Sequence, residues 1–77
     1  MKKLTECKKS QICKVIKLHT DGPLKQRFIS FGLMKGAQIE LLEYSATKST
    51  FEVKVGKMRI ALRREEAELV EVEDEQD

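Results

Sequence analysis

The sequence predicts a mainly β fold, a small five-stranded barrel with one short α-helix inserted between the first and second strands. Short stretches of alternating apolar and polar residues recur along the chain, as is typical of half-buried strands. Only one segment has both helical spacing and helix-ending residues. The chain has 77 residues, and closing so small a sheet into a barrel removes edges that would otherwise need protection.

The predicted helix lies within residues 20–37. Pro23 suits a first helical turn, where its missing N–H has no partner to lose, and Thr20 or Asp21 is placed to cap it. Three apolar residues at i, i+4 and i+7 share one helical face, namely Leu24, Phe28 and Phe31.

The end of this helix is also marked in the sequence. Gly32 is placed for the left-handed residue that stops a helix, and Leu33 for the hydrophobic contact of a Schellman motif with Phe28. Gly36 then predicts a tight turn into the next strand.

The five predicted strands span residues 12–18, 37–44, 51–55, 58–62 and 69–72. Lys14 interrupts the apolar alternation of the first strand, which predicts a bulge or a barrel corner there. The alternation of the second strand reverses after Leu41, as in a strongly bent barrel strand. Gly56 and Lys57 form a two-residue turn that joins the third and fourth strands in a hairpin.

The remaining residues predict a single domain over the whole chain. Residues 4–10 are expected to form one polar turn with Leu4 and Cys7 pointing inward, and residues 63–67 one charged helical turn. The folded barrel is predicted to span residues 4–72, and residues 73–77 to form a disordered acidic tail with nothing to bury. Five short strands favour an SH3-like barrel over an oligonucleotide-binding barrel, which usually needs more residues.

The charge of the chain is unevenly distributed. Its formal net charge is +2, but residues 1–70 carry 15 basic against 8 acidic side chains, whereas residues 71–77 carry five acids and no base. No run approaches the ~18 apolar residues of a membrane span, and no apolar run follows the basic N-terminus as in a signal peptide. We therefore expect a cytoplasmic protein without membrane insertion, whose two cysteines are reduced.

Residues for catalysis or metal binding are scarce. The weak candidates for a metal site are Cys7, Cys13 and His19, but five residues separate the cysteines, which is wider than in most structural zinc sites. No residue is placed to activate a Ser or Thr nucleophile, and no glycine-rich phosphate loop is present. The sequence predicts neither an enzyme nor a bound cofactor.

Nucleic-acid binding is an alternative function for a small barrel. Lys57, Arg59, Arg63 and Arg64 could meet phosphates. Single-strand binders also stack bases on exposed aromatic rings, and only Tyr44 is available here because the phenylalanines are assigned to the core. We therefore do not expect a nucleic-acid partner.

Two stretches resemble the FeoA family, ferrous iron transport protein A. Residues 24–39 are similar to its central motif, an Arg, a two-residue apolar step and then Gly-Leu-x-x-Gly-x-x-Ile, while residues 60–67 with Val70 and Val72 are similar to its C-terminal signature. The resemblance implies an SH3-like barrel that works through protein contacts with FeoB, the inner-membrane ferrous iron transporter with a cytoplasmic GTP-binding domain. A similar domain ends iron- and manganese-dependent transcriptional repressors, and because Met1 directly precedes the barrel we expect the freestanding protein instead.

The predicted transporter contacts lie on the solvent side of the helix and the turn after it. They are Lys25, Gln26, Arg27, Ser30, Met34 and Lys35, with Arg63 and Arg64 as secondary contacts. Arg27 lies beside the apolar face, so that it could instead pair with an acid of the barrel. The exposed edge of such a barrel also permits weak self-association.

Overall fold

The computed structural model describes residues 2–75 as one antiparallel sheet with two α-helices and one 3₁₀ helix. The strands are β1 (Lys2–Lys3), β2 (Ile12–Leu18), β3 (Gln38–Tyr44), β4 (Thr50–Val55), β5 (Met58–Arg63) and β6 (Val70–Asp74). The helices are the 3₁₀ helix (Leu4–Glu6), α1 (Gly22–Ser30) and α2 (Arg64–Ala67). The mainly β fold with α1 between two strands is therefore confirmed.

The strands follow the order β1-β6-β2-β3-β4-β5, with every neighbouring pair antiparallel. Because β1 and β5 stand at opposite ends of this order, the sheet is not fully closed. The prediction of five strands misses β1, which consists of two lysines and has no apolar pattern to reveal it.

Aliphatic side chains fill most of the core, with Phe28 and Phe51 as its two buried aromatic residues. Within residues 2–75 no polar or charged side chain is buried. Leu4 and Cys7 both point inward, as predicted, while the lysines that follow them are exposed. The interior is therefore apolar, and polar chemistry is confined to the surface.

Two register shifts bend the sheet. The shift in β2 falls between Val15 and Lys17, at Ile16, and not at Lys14 as predicted. The additional residue changes the parity of the strand, so that Leu18 faces the core together with Val15. The second shift falls between residues 41 and 43 of β3, where the sequence pattern reverses.

The end of α1 has the hydrogen bonds of a Schellman motif. The Leu33 N–H donates to the Phe28 carbonyl and the Gly32 N–H to the Ile29 carbonyl, each at 2.9 Å. Gly32 has a φ of +87°, and Leu33 is fully buried. The predicted helix stop is confirmed. At the other end Asp21 is the N-cap residue, but its side chain accepts no capping hydrogen bond.

The folded part extends beyond the predicted limits at both ends. At the C-terminus β6 continues to Asp74, whose Oδ1 lies 2.8 Å from Lys2 Nζ and accepts a hydrogen bond from Gln11 Nε2 at 2.6 Å. Glu73 pairs with Lys14 of β2. Strand pairing and the side-chain contacts of Asp74 thus hold this end in the sheet although it buries no apolar residue. Residues 76 and 77 of the predicted tail lie outside the described residues.

Candidate functional site

The three candidate metal ligands do not come together. Cys7 and Cys13 place their Sγ atoms 3.1 Å apart in the core, but His19 is exposed and its Nε2 lies 2.6 Å from Glu71 Oε1. Within residues 2–75 no group of three or more His, Cys, Asp or Glu side chains is arranged to hold a metal ion. Over the same residues, no helix has the length and apolar character needed to cross a membrane.

The feature best suited to bind a partner is an open groove between α1 and β2. Its volume is about 740 Å³. Its lining residues are Ile16, Lys17, Leu18, Lys25, Ile29, Met34, Lys35 and Glu71, and we call it the α1–β2 groove. Three of the predicted contact residues, Lys25, Met34 and Lys35, therefore share one surface feature.

Local backbone geometry produces the apolar floor of this groove. The bulge at Ile16 leaves that side chain half-buried beside β6 instead of in the core. Ile29 lies outside the face of α1 that carries Phe28 and is half-buried as well. Met34 follows the helix stop and is 42% exposed. Ile16, Ile29 and Met34 thus give the groove a partly exposed apolar floor.

Basic side chains surround this floor. Lys17, Lys25 and Lys35 line the groove, and none of the three lies within 4.0 Å of a carboxylate of residues 2–75. The one acidic lining residue, Glu71, contacts His19. A ligand with apolar residues and carboxylates therefore matches the groove in polarity and charge.

The other predicted contact residues of α1 lie outside the groove. Gln26 and Ser30 are exposed, and Ser30 Oγ donates to the Arg27 carbonyl at 2.7 Å. Arg27 Nη1 donates to Glu66 Oε2 at 3.2 Å, and Arg27 Cζ lies 5.8 Å from the centre of the Phe31 ring. Arg27 therefore links α1 to α2, as the alternative interpretation of its position expected.

The two secondary contacts lie at the junction of β5 and α2, also outside the groove. Arg63 and Arg64 are both exposed. The Arg63 backbone N–H donates to Glu66 Oε1 at 2.9 Å, and the Arg64 N–H donates to the Ser49 carbonyl at 3.0 Å. The backbone of both residues helps to place α2, while their side chains face solvent.

Sequence reasoning missed Ile16, Lys17, Leu18, Ile29 and Glu71 as lining residues. One signal was present, because Ile29 is an apolar residue outside the core-facing spacing of the helix. The contribution of Ile16 depends on the exact bulge position, and that of Glu71 on the pairing of β6 with β2. Neither the bulge position nor the pairing of β6 with β2 can be predicted from the local sequence pattern.

The surface around Tyr44 bears on nucleic-acid binding. The ring of Tyr44 lies 5.9 Å from that of Phe51, and the Nζ atoms of Lys9 and Lys48 lie 5.2 and 5.0 Å from its centre. Lys9 Nζ also lies 2.8 Å from Glu43 Oε1, which lowers the pKa of Glu43 and raises the pKa of Lys9. The one candidate ring for base stacking is thus already in contact with two ammonium groups.

Comparison with known proteins gives consistent matches over nearly the whole chain. The FeoA domain family model matches residues 2–74. The candidate Fe(2+) transport protein A of Helicobacter pylori is 36% identical over 72 residues, which cover 92% of this chain and 95% of that protein.

Solved structures of similar fold include SH3-like FeoA proteins. The FeoA of Stenotrophomonas maltophilia, an SH3 domain protein solved in complex with zinc, superposes with a TM-score of 0.80 and 25% identity over 95% of this chain and 91% of that one. The manganese regulator SloR has a domain of similar fold, with a TM-score of 0.81 and 15% identity over 96% of this chain and 34% of that one. At this identity the second likeness concerns the fold alone.

Proposed function

Because this chain belongs to the FeoA domain family, we propose that it is an accessory protein of ferrous iron uptake that docks on the FeoB transporter and modulates its activity. The α1–β2 groove is the docking surface in this proposal. Its occupant is an amphipathic segment of the transporter, with apolar residues on the floor and carboxylates near Lys17, Lys25 and Lys35. Docking of this kind takes place at the cytoplasmic face of the membrane.

One observation carries the proposal, namely that aliphatic side chains and unpaired lysines meet in a single groove. Ile29 and Met34 lie partly exposed next to three ammonium groups, none of which forms an ion pair within 4.0 Å with a carboxylate of residues 2–75. An apolar anchor contributes most of the affinity of an interface, while complementary charges speed association and fix its register.

The test is binding to detergent-solubilised FeoB of the same organism by titration calorimetry. We expect Lys25→Glu with Lys35→Glu to raise the Kd roughly tenfold or more, because both substitutions place a like charge against the acidic segment. The matched control is Lys8→Glu with Lys57→Glu, which changes the net charge equally at exposed positions outside the groove.

Two outcomes contradict the proposal. If the unaltered protein does not bind FeoB, the accessory role is wrong. If both double variants weaken binding equally, the attraction is a general effect of net charge and the groove is not the site. Retention on single-stranded DNA that weakens steeply with salt would favour the nucleic-acid alternative instead.

A further inference from the structure

The two cysteines form a pair that the docking proposal does not use. Cys7 follows the 3₁₀ helix as its C-cap residue, and Cys13 lies in β2. Their Sγ atoms are 3.1 Å apart, and the two residues are 4% and 1% exposed. Both are free thiols.

The two sulfur atoms are already in direct non-bonded contact. A disulfide bond is ~2.05 Å long, so the two Sγ atoms need to approach by only about 1 Å. The residues between the cysteines form an exposed connection, in which Ser10 has a φ of +67°.

We propose that Cys7 and Cys13 are a reversible thiol–disulfide site that small-molecule disulfides oxidise. The thiolate of one cysteine attacks the small disulfide, forming a mixed disulfide and releasing one thiolate, which takes up a proton. The thiolate of the second cysteine then attacks the protein sulfur of the mixed disulfide and displaces the second small thiol. Two protons and two electrons leave the protein, and one small disulfide becomes two thiols.

The fold slows this reaction without preventing it. Burial, together with the hydrogen bond to Cys13, raises the pKa of the Cys7 thiol to about 12, and only the thiolate attacks a disulfide. Strand β1, which precedes the 3₁₀ helix and Cys7 in the chain, is weakly held, because it has two residues and within residues 2–75 pairs only with β6. Lys2 of this strand forms a 2.8 Å ion pair with Asp74 and donates a hydrogen bond to Gln11 Oε1 at 3.3 Å, while the fully buried Leu4 anchors the 3₁₀ helix that follows. Local opening of β1 and the 3₁₀ helix exposes the thiol and sets the rate.

The disulfide joins the 3₁₀ helix covalently to β2. Closing the short loop between positions 7 and 13 removes conformations from the unfolded chain and therefore stabilises the folded state. For a domain of this size we expect the oxidised form to melt roughly 5–15 °C above the reduced form.

The test starts from the reduced full-length protein, incubated with oxidised glutathione and then alkylated to block remaining thiols. Trypsin cleaves after Lys3, Lys8, Lys9 and Lys14, so the cysteines fall in separate peptides, 4–8 and 10–14. We expect an intact mass lower by two hydrogen atoms, a linked pair of these peptides without reductant, and recovery of both after dithiothreitol. Stable glutathione adducts, disulfide-linked dimers or unreacted thiols would each overturn the proposal.

Variants test the cysteine pair and the local opening of β1 separately. Cys7→Ala and Cys13→Ala should each lose the linked peptides and the rise in melting temperature. If either variant fails to fold, the peptide map of the unaltered protein still decides the question. Lys2→Ala should accelerate oxidation about two- to fivefold, the effect of losing a partly exposed ion pair on the opening equilibrium. An unchanged rate would show that β1 is not the segment that opens.

Discussion

At the scale of single residues, Gly32 decides how the chain leaves α1. Its φ of +87° lies in the left-handed region, and a Cβ built at this position would meet Val55 Cγ1 at 3.4 Å. The contact is tolerable, so the backbone conformation is the main constraint. This conformation lets the next N–H reach the Phe28 carbonyl and directs Leu33 into the core.

Replacing Gly32 with alanine should therefore cost stability without changing the fold. We expect Gly32→Ala to lower the free energy of unfolding by about 1–2 kcal/mol, the cost of a side chain in the left-handed region. Urea denaturation followed by circular dichroism measures the change.

The control for Gly32→Ala is Ser30→Ala, two residues earlier on the exposed surface of α1. We expect Ser30→Ala to change the free energy of unfolding by less than about 0.5 kcal/mol. Alanine is a better helix former than serine, and the substitution removes only one exposed side-chain hydrogen bond. Equal losses in both variants would mean that the helix end does not depend on glycine.

Single residues also show where sequence reasoning succeeds and fails. The Schellman motif was predictable because its participants, from Phe28 to Leu33, lie within six positions of one another. The partner of Arg27 was not, because Glu66 lies 39 residues away. The spacing on the helix showed only that Arg27 borders the apolar face.

At the scale of elements, the difference between local contacts and contacts distant in sequence also explains why the bulge in β2 was predicted at the wrong residue. The alternation of residues 12–18 contains a break, and the sequence reveals its existence. Its position depends on which residues face β6, since the register shifts between Val15 and Lys17 on that neighbour. The predicted break at Lys14 is therefore two residues early. Strand β1 was missed for a related reason, because pairing with β6 is all that makes Lys2–Lys3 a strand.

The attachment of α1 to the sheet depends largely on one side chain. Phe28 is 1% exposed and is the only fully buried residue of this helix, whereas Leu24 and Ile29 are half-buried. We expect Phe28→Ala to lower the free energy of unfolding by about 3–5 kcal/mol. In a domain this small such a loss is comparable to the total stability.

Thermal unfolding monitored by circular dichroism tests this element. Phe31→Ala serves as the control. Because Phe31 is half-buried after the last turn of α1, this substitution should lower the free energy of unfolding clearly less than Phe28→Ala does. If the two substitutions are equally costly, the helix is held by its whole apolar face and not by Phe28.

At the scale of the whole molecule, the fold brings the two charge regions of the sequence together. The acidic end of the chain forms β6, which lies between the lysine-bearing strands β1 and β2. In these ladders Glu73 is opposite Lys14, and Glu71 is opposite Lys17 in β2 and Lys3 in β1. The strand thus offsets much of the positive charge on its neighbours, while Lys25 and Lys35 remain available in the α1–β2 groove.

The open sheet also bears on self-association. Strand β5 is the longer of the two end strands, and within residues 2–75 it has a strand neighbour only on the β4 side. Two copies pairing antiparallel about Ala61 would place Arg59 opposite Arg63, which is unfavourable for like charges. In that register, charge repulsion opposes self-association through this edge.

The extent of β6 gives the last prediction, which concerns where the folded molecule ends. A chain truncated after Val72 loses the ladder positions of Glu73 and Asp74 and both side-chain contacts of Asp74, to Lys2 and Gln11. A chain truncated after Glu75 keeps them. We expect the shorter chain to be less stable by about 1–3 kcal/mol, because several sheet hydrogen bonds and one part-exposed ion pair are lost.

Urea denaturation of the two truncated chains, compared with each other, measures this difference. The loss in the shorter chain should shrink at high salt, because the part due to the Lys2–Asp74 ion pair is screened while the backbone part remains. Equal stability of the two chains would place the end of the fold at Val72, where the apolar pattern stops. A difference that persists in part at high salt would instead show that backbone pairing carries the sheet beyond its last apolar residue.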